Sequence, residues 1–396
     1  MSKEEWVREL LIAMVPQWYV AKGGPNPYEL GGSERAFHSV RPLTPKLGEL
    51  RRWMNSNFSR WVNELPQTPS PSSYASITEE IALYWLNQHG SVSWDRLVVH
   101  LAEAKLRTHE NAPVSRNVVI SPKAIGQEAI TERGIQKWLD GLASSHTFFR
   151  VDGALRYLDY DEIALDDVKA VQEYKFHPDF LHPFHGKLTS GDFSAHLTNR
   201  GDIVVMDEHG LLAANRRGRW YVYDVQTFKN FLGDILGGYR LGCNIFDVVL
   251  DLSYRRHGAL LVYDKHGGVL KAVTNKTSIV HPAGTADKLR AMLSSAVGRV
   301  SLSEHSFQKR KKRILLEIAS MDGAVIFDDR QILAFGAIVR PHDDVESFQG
   351  TRTTAAHSAY LWGGTAIKVS ADGDITAFFD SEDGNGTRHG ARTDFL

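Results

Sequence analysis

The chain has one cysteine, Cys243, in 396 residues. A single thiol excludes an internal disulfide and any cysteine-based zinc cage, and it fits a reducing, cytoplasmic setting. Cys243 itself is expected as a small buried apolar residue. An excess of charge of either sign is also missing: Lys plus Arg number 46 and Asp plus Glu 47, for a net charge of −1. Attraction of the whole molecule to nucleic acid or to an anionic membrane is therefore not expected, and such binding would need a local patch. Long apolar runs are absent as well, since stretches such as residues 260–263 and 314–321 fall far short of the roughly 20 residues of a spanning helix. The start, Met1-Ser-Lys-Glu-Glu-Trp6, is acidic and leads into a brief apolar run without a small-residue cleavage site, so no export signal is read there.

What is present is an ordinary globular composition, 42% hydrophobic, 23% charged and 10% aromatic. Its length exceeds what one hydrophobic core serves, and two or three domains are expected. Residues 1–70 read as a helical region, with helical periodicity over 4–14 and 45–65 and an apolar face at Trp53, Phe58 and Trp61. Pro66-Gln-Thr-Pro-Ser-Pro-Ser-Ser73 reads as a linker. Residues 74–162 follow as helix (77–88), helix (94–105), polar loop, helix (129–144) and a hairpin (147–151, 155–158) turning on Asp152-Gly153. Three helices and a hairpin are the outline of a winged-helix domain. Its third helix offers only Arg133 and Lys137 against Glu128, Glu132 and Asp140, so a packing or protein-contact role is expected there and DNA is not.

Residues 163–240 read as a connector: a helical stretch, a His/Pro-rich segment and a β-meander over 202–206, 211–215 and 220–224. The segment His177-Pro-Asp-Phe-Leu-His182-Pro-Phe-His185 could supply metal nitrogens. Its two prolines deny the one-face spacing that metal-binding helices use, which favours a structural or surface loop. Residues 241–385 alternate strand-like and helix-like patterns, as a mixed α/β domain does. Strands are expected over 259–263, 269–273, 325–327, 332–339, 365–369 and 375–379, and helices over 285–296 and 307–321. Residues 386–396 read as a Gly-rich tail, with a second possibility that Arg388 and His389 fold back onto a phosphate.

Four landmarks of this last domain come in order: Leu252-Ser-Tyr-Arg-Arg-His-Gly-Ala-Leu-Leu-Val-Tyr263, Asp322-Gly-Ala-Val-Ile-Phe327, Gly350-Thr-Arg-Thr-Thr-Ala-Ala356 and Thr365-Ala-Ile-Lys-Val-Ser-Ala-Asp-Gly-Asp-Ile375. Together they resemble the diadenylate cyclase domain, the nucleotide-binding module named from the DNA-integrity scanning protein. That family has a Gly-Ala-Leu-Ile-Val strand, an Asp-Gly-Ala motif, a Gly-Thr-Arg-His-Arg-Ala-Ala motif some thirty residues on, and a strand ending in Ser-Glu-Glu. Two look-alikes fall outside this order: Asp152-Gly-Ala154 in the hairpin and Gly386-Thr-Arg-His-Gly-Ala391 near the end.

The resemblance implies a nucleotidyltransferase that joins two ATP molecules into cyclic di-AMP or a relative, with Mg²⁺ or Mn²⁺. It implies a homodimer or higher homo-oligomer with opposed sites, and regulation by the preceding domains. Asp322 would be the metal ligand and hydroxyl-orienting carboxylate, Gly323 and Ala324 would admit the ribose or phosphate, and Gly350, Thr351 and Arg352 would grip phosphate oxygens. Thr353, Thr354 and Ser370 occupy the remaining motif positions. Arg256 and His257, just before the first strand, could add positive charge or could simply be an exposed strand start. The basic run Lys309-Arg-Lys-Lys-Arg313 could attract a nucleotide, though a solvated helix turn is the plainer reading. The family's Arg-His-Arg is Arg352-Thr353-Thr354 here, and its Ser-Glu-Glu is Ser370-Ala371-Asp372. These changes open a second reading: a cyclase-like domain that senses a nucleotide and regulates an effector protein, similar to the sensor domains of bacterial conflict systems, with a role in antiviral defence. No membrane association is expected.

Overall fold

The computed structural model describes residues 3–14, 20–21, 44–66, 71–130, 140, 142, 146–163, 177–280, 309–345, 350–382 and 388–395. It divides into two compact units, one of residues 1–15 and 43–225, the other of residues 16–42 and 226–396. Helices and mixed sheets make up both.

The first unit holds helices α1 (Lys3–Met14), α2 (Pro45–Glu64), α3 (Pro71–Asn87) and α4 (Trp94–Lys105). Thr44 caps α2, with Pro45 in the first turn where its missing N–H costs nothing. Trp61 is buried and donates to Glu80 at 3.0 Å, while Trp53 stacks on Tyr84 at 4.1 Å, so the aromatic stripe is a packing face. Pro71 likewise opens α3, inside the segment read as linker.

The sheet of this unit contains β4 (Arg116–Ile120), β5 (Thr147–Val151), β6 (Tyr157–Glu162), β7 (Phe193–Leu197), β8 (Ile203–Asp207), β9 (Gly210–Arg216) and β10 (Arg219–Val222). Before it comes a two-stranded hairpin, β2 (Thr108–His109) with β3 (Ala112–Pro113). The seven strands run in the order β10-β9-β8-β7-β4-β5-β6, with β4 and β5 parallel and the other pairs antiparallel. The β5–β6 hairpin and the meander therefore share one sheet, and the winged-helix outline is not confirmed. Ala129 forms a β-bridge to Arg156 at the expected start of the third helix, and most of that helix lies outside the described residues.

Two strands absent from the sequence reading, β4 and β7, carry buried polar groups that satisfy one another. Arg116 is fully buried; it lies 2.6 Å from His100 Nε2 and 2.6 Å from the Asp140 carboxylate, which also pairs with Arg107 at 2.9 Å. His196 Nδ1 is 2.9 Å from Asn117 Oδ1, and its Nε2 is 2.9 Å from Ser194 Oγ. Burial pushes the His196 imidazole down to about 3, and burial together with the Arg116 charge pushes His100 down to about 3. The His/Pro-rich segment turns its histidines inward, His177 and His185 being buried and stacked at 4.9 Å with His182 5.3 Å from His177, while Asp179 and Phe180 are exposed. Among the described residues, no group of three or more metal-binding side chains is placed to hold an ion.

The second unit is built on a sheet of β1 (Val20–Ala21), β11 (Ala259–Tyr263), β12 (Ala324–Phe327), β13 (Ile332–Ala337), β14 (Thr365–Val369), β15 (Ile375–Glu382) and β16 (Arg388–Phe395), in the order β1-β16-β15-β14-β11-β12-β13. Only β11 and β12 are parallel, joined by a crossover that contains α7 (Lys309–Ala319); the other pairs are antiparallel. Also in this unit are α5 (Val225–Ile235), α6 (Tyr239–Arg255) and α8 (Thr351–Leu361). Leu260, Val262, Ala324, Ile326, Ala366 and Phe378 form one face of the sheet with Ala356 and Ala359 of α8 on it, small residues that let the helix lie close. The apolar β11 run, buried throughout, is what a strand covered on both faces requires.

Three expectations change here. Residues 268–271 form a helical turn and not a strand, with Val273 bridged to Val339. The tail after residue 386 is strand β16, whose Arg388 pairs with Glu382. Lys312 of the basic run is 4% exposed and bonds Asp247 and Asp251 of α6 at 2.9 and 2.8 Å, so this part of the run faces inward. The expected helix over 285–296 lies outside the described residues. Cys243 is buried, as its chemistry suggested.

The hairpin turn after β5 depends on Asp152, which is 1% exposed and accepts from the backbone N–H groups of Gly126, Ala154 and Arg156, each at 2.9 Å, and from Arg156 Nε at 2.7 Å. Burial alone would push its carboxyl up, but these donors hold it below the usual carboxylate range. Asp152→Ala is expected to cost about 2–4 kcal/mol in chemical denaturation, because several buried donors lose one charged acceptor. A folded-state value below the unfolded one of about 3.9 means the contribution is full above that pH and falls away as pH drops through the folded value. The gap in stability between wild type and the variant should therefore narrow only in acid.

Candidate functional site

The register of the second sheet sets the site. Leu260 stands beside Ala324 in the parallel pair, so the residues two positions earlier, Gly258 and Asp322, arrive at the same end of the sheet. Ala259 opposite Val369 brings the turn after β14 to that end too. There a cavity of about 650 Å³ opens, lined by Asp322, Gly323 and Ala324 from the start of β12, by Gly350, Thr351, Arg352 and Thr354 from the start of α8, and by Leu260, Ile338 and Pro341, among others. Thr351, Thr354, Ala355 and Ser358 reach it with the i, i+3, i+4, i+7 spacing of one helix face.

Asp322 is fully exposed, and its carboxylate lies 3.6 Å from Arg352 Nη2. Among the described residues this is the one charge pair on the cavity wall, set beside the N-terminus of α8, whose first N–H groups and dipole favour an anion. Gly350 caps that helix at φ +111°, a conformation glycine adopts without penalty, with open space around its α-carbon. Its carbonyl accepts from the N–H groups of Thr353 and Thr354, both at 3.2 Å. Gly323 has another cause. Its φ is +104°, and a Cβ there would lie 2.5 Å from the carbonyl carbon of Gly336. It is the β13 backbone, rather than a ligand, that comes close to Gly323.

Other expected site residues lie off the cavity. Thr353 turns from it and accepts from Lys368 Nζ at 3.1 Å. Ser370 closes the β14–β15 turn: its N–H donates to Asp374 O at 2.8 Å and its Oγ accepts from Asp374 N at 2.9 Å. Arg256 ends α6 in the left-handed conformation at φ +55°, and His257 Nε2 lies 3.1 Å from Ser320 O, tying the chain before β11 to the chain before β12. Arg388 and His389 pair with Glu382 and Ser381, at the end of β15 about 23 Å from the turn beside the site at ~3.3 Å per residue.

Two features were not read from the sequence. Lys368 faces the helix because it stands opposite Leu260 in the antiparallel pair, and opposed residues share a sheet face. The wall at Pro341 is held by Trp362, whose indole donates to Arg340 O at 2.9 Å under the Arg340 guanidinium, 4.7 Å from the ring. A lysine amid apolar strand residues was the available sign of the first. The second joins residues 22 apart, with no motif to mark it.

Among the described residues, Asp322 is the only carboxylate on the cavity wall. One carboxylate does not make a resident divalent-metal site, but it suits an ion that arrives already held by phosphate oxygens, as Mg²⁺ commonly does.

No family model matches the chain, and no curated protein does. Among solved structures, a double mutant of DacA from Staphylococcus aureus is 21% identical and aligns over 37% of this chain and 83% of its own, with a TM-score of 0.22. A hypothetical membrane spanning protein from Bacillus cereus is 18% identical over 42% and 74%, with a TM-score of 0.25. Likenesses at such scores carry no argument about this chain. Among its described residues, no helix is long and apolar enough to cross a membrane.

The two motif glycines should respond differently to substitution. Gly350→Ala meets only a backbone penalty, about 1–3 kcal/mol. Gly323→Ala adds a collision with the β13 backbone and is expected to cost clearly more, read as a larger fall in melting temperature.

Proposed function

We propose that the second unit binds nucleoside triphosphates and joins two ATP molecules into a cyclic dinucleotide. The observation that carries this reading is the approach of Asp322 to Arg352 across a cavity of about 650 Å³, at the N-terminus of α8. In the reaction each 3′-oxygen forms a bond to the other nucleotide's α-phosphorus. The bond to the β-phosphate oxygen breaks, pyrophosphate leaves, and the hydroxyl proton passes to solvent. Asp322 orients that hydroxyl and would hold a Mg²⁺ or Mn²⁺ ion brought by the phosphates, whose chemistry would be to neutralise developing charge. Arg352 and the Gly350–Thr351 backbone hold the triphosphate in line. Leu260, Ile338 and Pro341 give the base an apolar wall. One copy supplies half of the chemistry, so two copies must face each other, and the first unit would regulate that pairing.

A second reading has its own support. Thr353 and Ser370 do not line the cavity, and among the described residues Arg352 is its only cationic side chain. Such a site can hold a nucleotide without turning it over, as a sensor that passes occupancy to an effector protein, for instance in antiviral defence.

Incubation of the purified full chain with ATP, and separately GTP, in Mg²⁺ or Mn²⁺ separates the two by mass spectrometry. The cyclase reading expects a cyclic dinucleotide that accumulates with wild type and vanishes with Asp322→Asn while the circular dichroism spectrum is unchanged. Undiminished synthesis by that variant would remove Asp322 from the site. Absence of product with a nucleotide carried through purification, and lost in Arg352→Ala, would establish the sensor. A protein that neither makes nor retains a nucleotide overturns both.

A further inference from the structure

We propose that Gly258 is a positioning residue of this site: the side chain it lacks leaves the slot in which the Arg352 guanidinium lies, and so sets the direction from which that cation meets a phosphate. The inference rests on the nucleotide-binding reading above.

Gly258 is buried and immediately precedes β11. A Cβ on it would stand 2.3 Å from Arg352 Nη1 and 2.8 Å from Cζ, with Ala371 N at 3.4 Å. The guanidinium is thus laid against bare backbone, next to the chain leaving β14. Something must hold it there, because an arginine has many rotamers and this one is 40% exposed. Asp322 does not. At 3.6 Å the pair is longer than a hydrogen bond, and an ion pair this exposed is weak. The slot is what remains to fix the side chain, with Nη1 and Cζ against the Gly258 backbone and Nη2 on the side of Asp322.

The glycine is not needed for its own backbone, since Gly258 is not among the positive-φ glycines. Alanine can take its conformation, and the atoms in the way belong to the mobile end of a side chain that can swing aside. Gly258→Ala is accordingly expected to fold and to evict the guanidinium. That separates it from Gly323, whose neighbour is immovable backbone.

The test is a double-mutant cycle on the full chain, read by calorimetry with 3′-deoxyadenosine triphosphate and Mg²⁺. This probe lacks the attacking hydroxyl and reports binding without turnover. Arg352→Ala is expected to weaken binding about tenfold or more, the scale of one charge-assisted contact. Gly258→Ala should lose a similar factor while its melting temperature stays near that of wild type, and the double variant should bind no worse than Arg352→Ala alone. The coupling is the decisive readout, since a merely structural role would make the two losses multiply. Wild-type affinity in Gly258→Ala, multiplying losses, or a Gly258→Ala protein that does not fold would each overturn the proposal. If Arg352→Ala weakens binding and Gly258→Ala does not, Gly258 falls and the nucleotide reading stands. If wild type does not bind the probe, or binds it no better than Arg352→Ala does, the reading fails at Arg352 and takes this proposal with it.

Discussion

The parallel pairing of β11 with β12, in one register, is the constraint on which the second unit depends. Leu260 beside Ala324 puts both on the face that α8 covers. A slip of one residue would turn each strand's apolar set to the other side of the sheet. It would also part Gly258 from Asp322, the two residues that enter the sheet at the cavity. Core and site are thus fixed by one choice. Because β11 is apolar and buried on both faces, burial of its run, about 1.5–3 kcal/mol for each large side chain, holds the strand in the sheet. The register follows from what each face must fit, Leu260 and Val262 meeting the small Ala356 and Ala359 of α8. Nothing in the site has to provide that fit.

The first unit uses a different economy, and it explains what the sequence did not disclose. Its core sheet includes Arg116, Asn117, Ser194 and His196, all buried. Polar residues in such numbers read as loop, because the usual sign of a strand is alternation with solvent. Here they are matched inside the protein, Arg116 with His100 and Asp140, His196 with Asn117 and Ser194. A buried polar group with its partner is tolerable, and one without is expensive, so the partners must be placed together. Three of these four pairs span 16, 24 and 79 residues, and no local pattern records them. The hairpin at Asp152-Gly153 and the meander were legible because their turns are spelled by adjacent residues. What joins them, β4 and β7, was not.

The same distinction runs through the site. Asp322 and Arg352 could be named from the sequence because they sit in motifs with a fixed order and a spacing of 30. The slot under Arg352 could not, for it joins residues 94 apart through an atom that is absent from glycine. Gly323 was legible as important but for another reason than the one it has. A sequence shows that a glycine stands in a motif, whereas only the fold shows whether a ligand or a neighbouring strand needs the room. Arg388 and His389 are the opposite case: their letters imitate a phosphate motif, and their strand sets them at the far end of β15.

The charge on the cavity bears on what the site can do. A triphosphate carries several negative charges, and the wall offers one guanidinium, the N-terminus of α8 and, one layer behind, the Lys368 ammonium held at Thr353. A charge-assisted contact contributes about 1.5–3 kcal/mol, and a helix terminus about 0.3–1 kcal/mol. Together with apolar contact to the base, that is enough for ordinary nucleotide affinity. Turnover asks for more, since charge moves onto the leaving pyrophosphate and only groups that grip the transition state harder than the ground state accelerate the step. On the proposed reading, Arg352 and the helix would hold the ground state, and the further stabilisation would come from a phosphate-borne ion and from the face of a second copy. Thr353 and Thr354, where the resembled family has histidine and arginine, would on that reading make catalysis a property of the pair, whereas binding would need only the single chain.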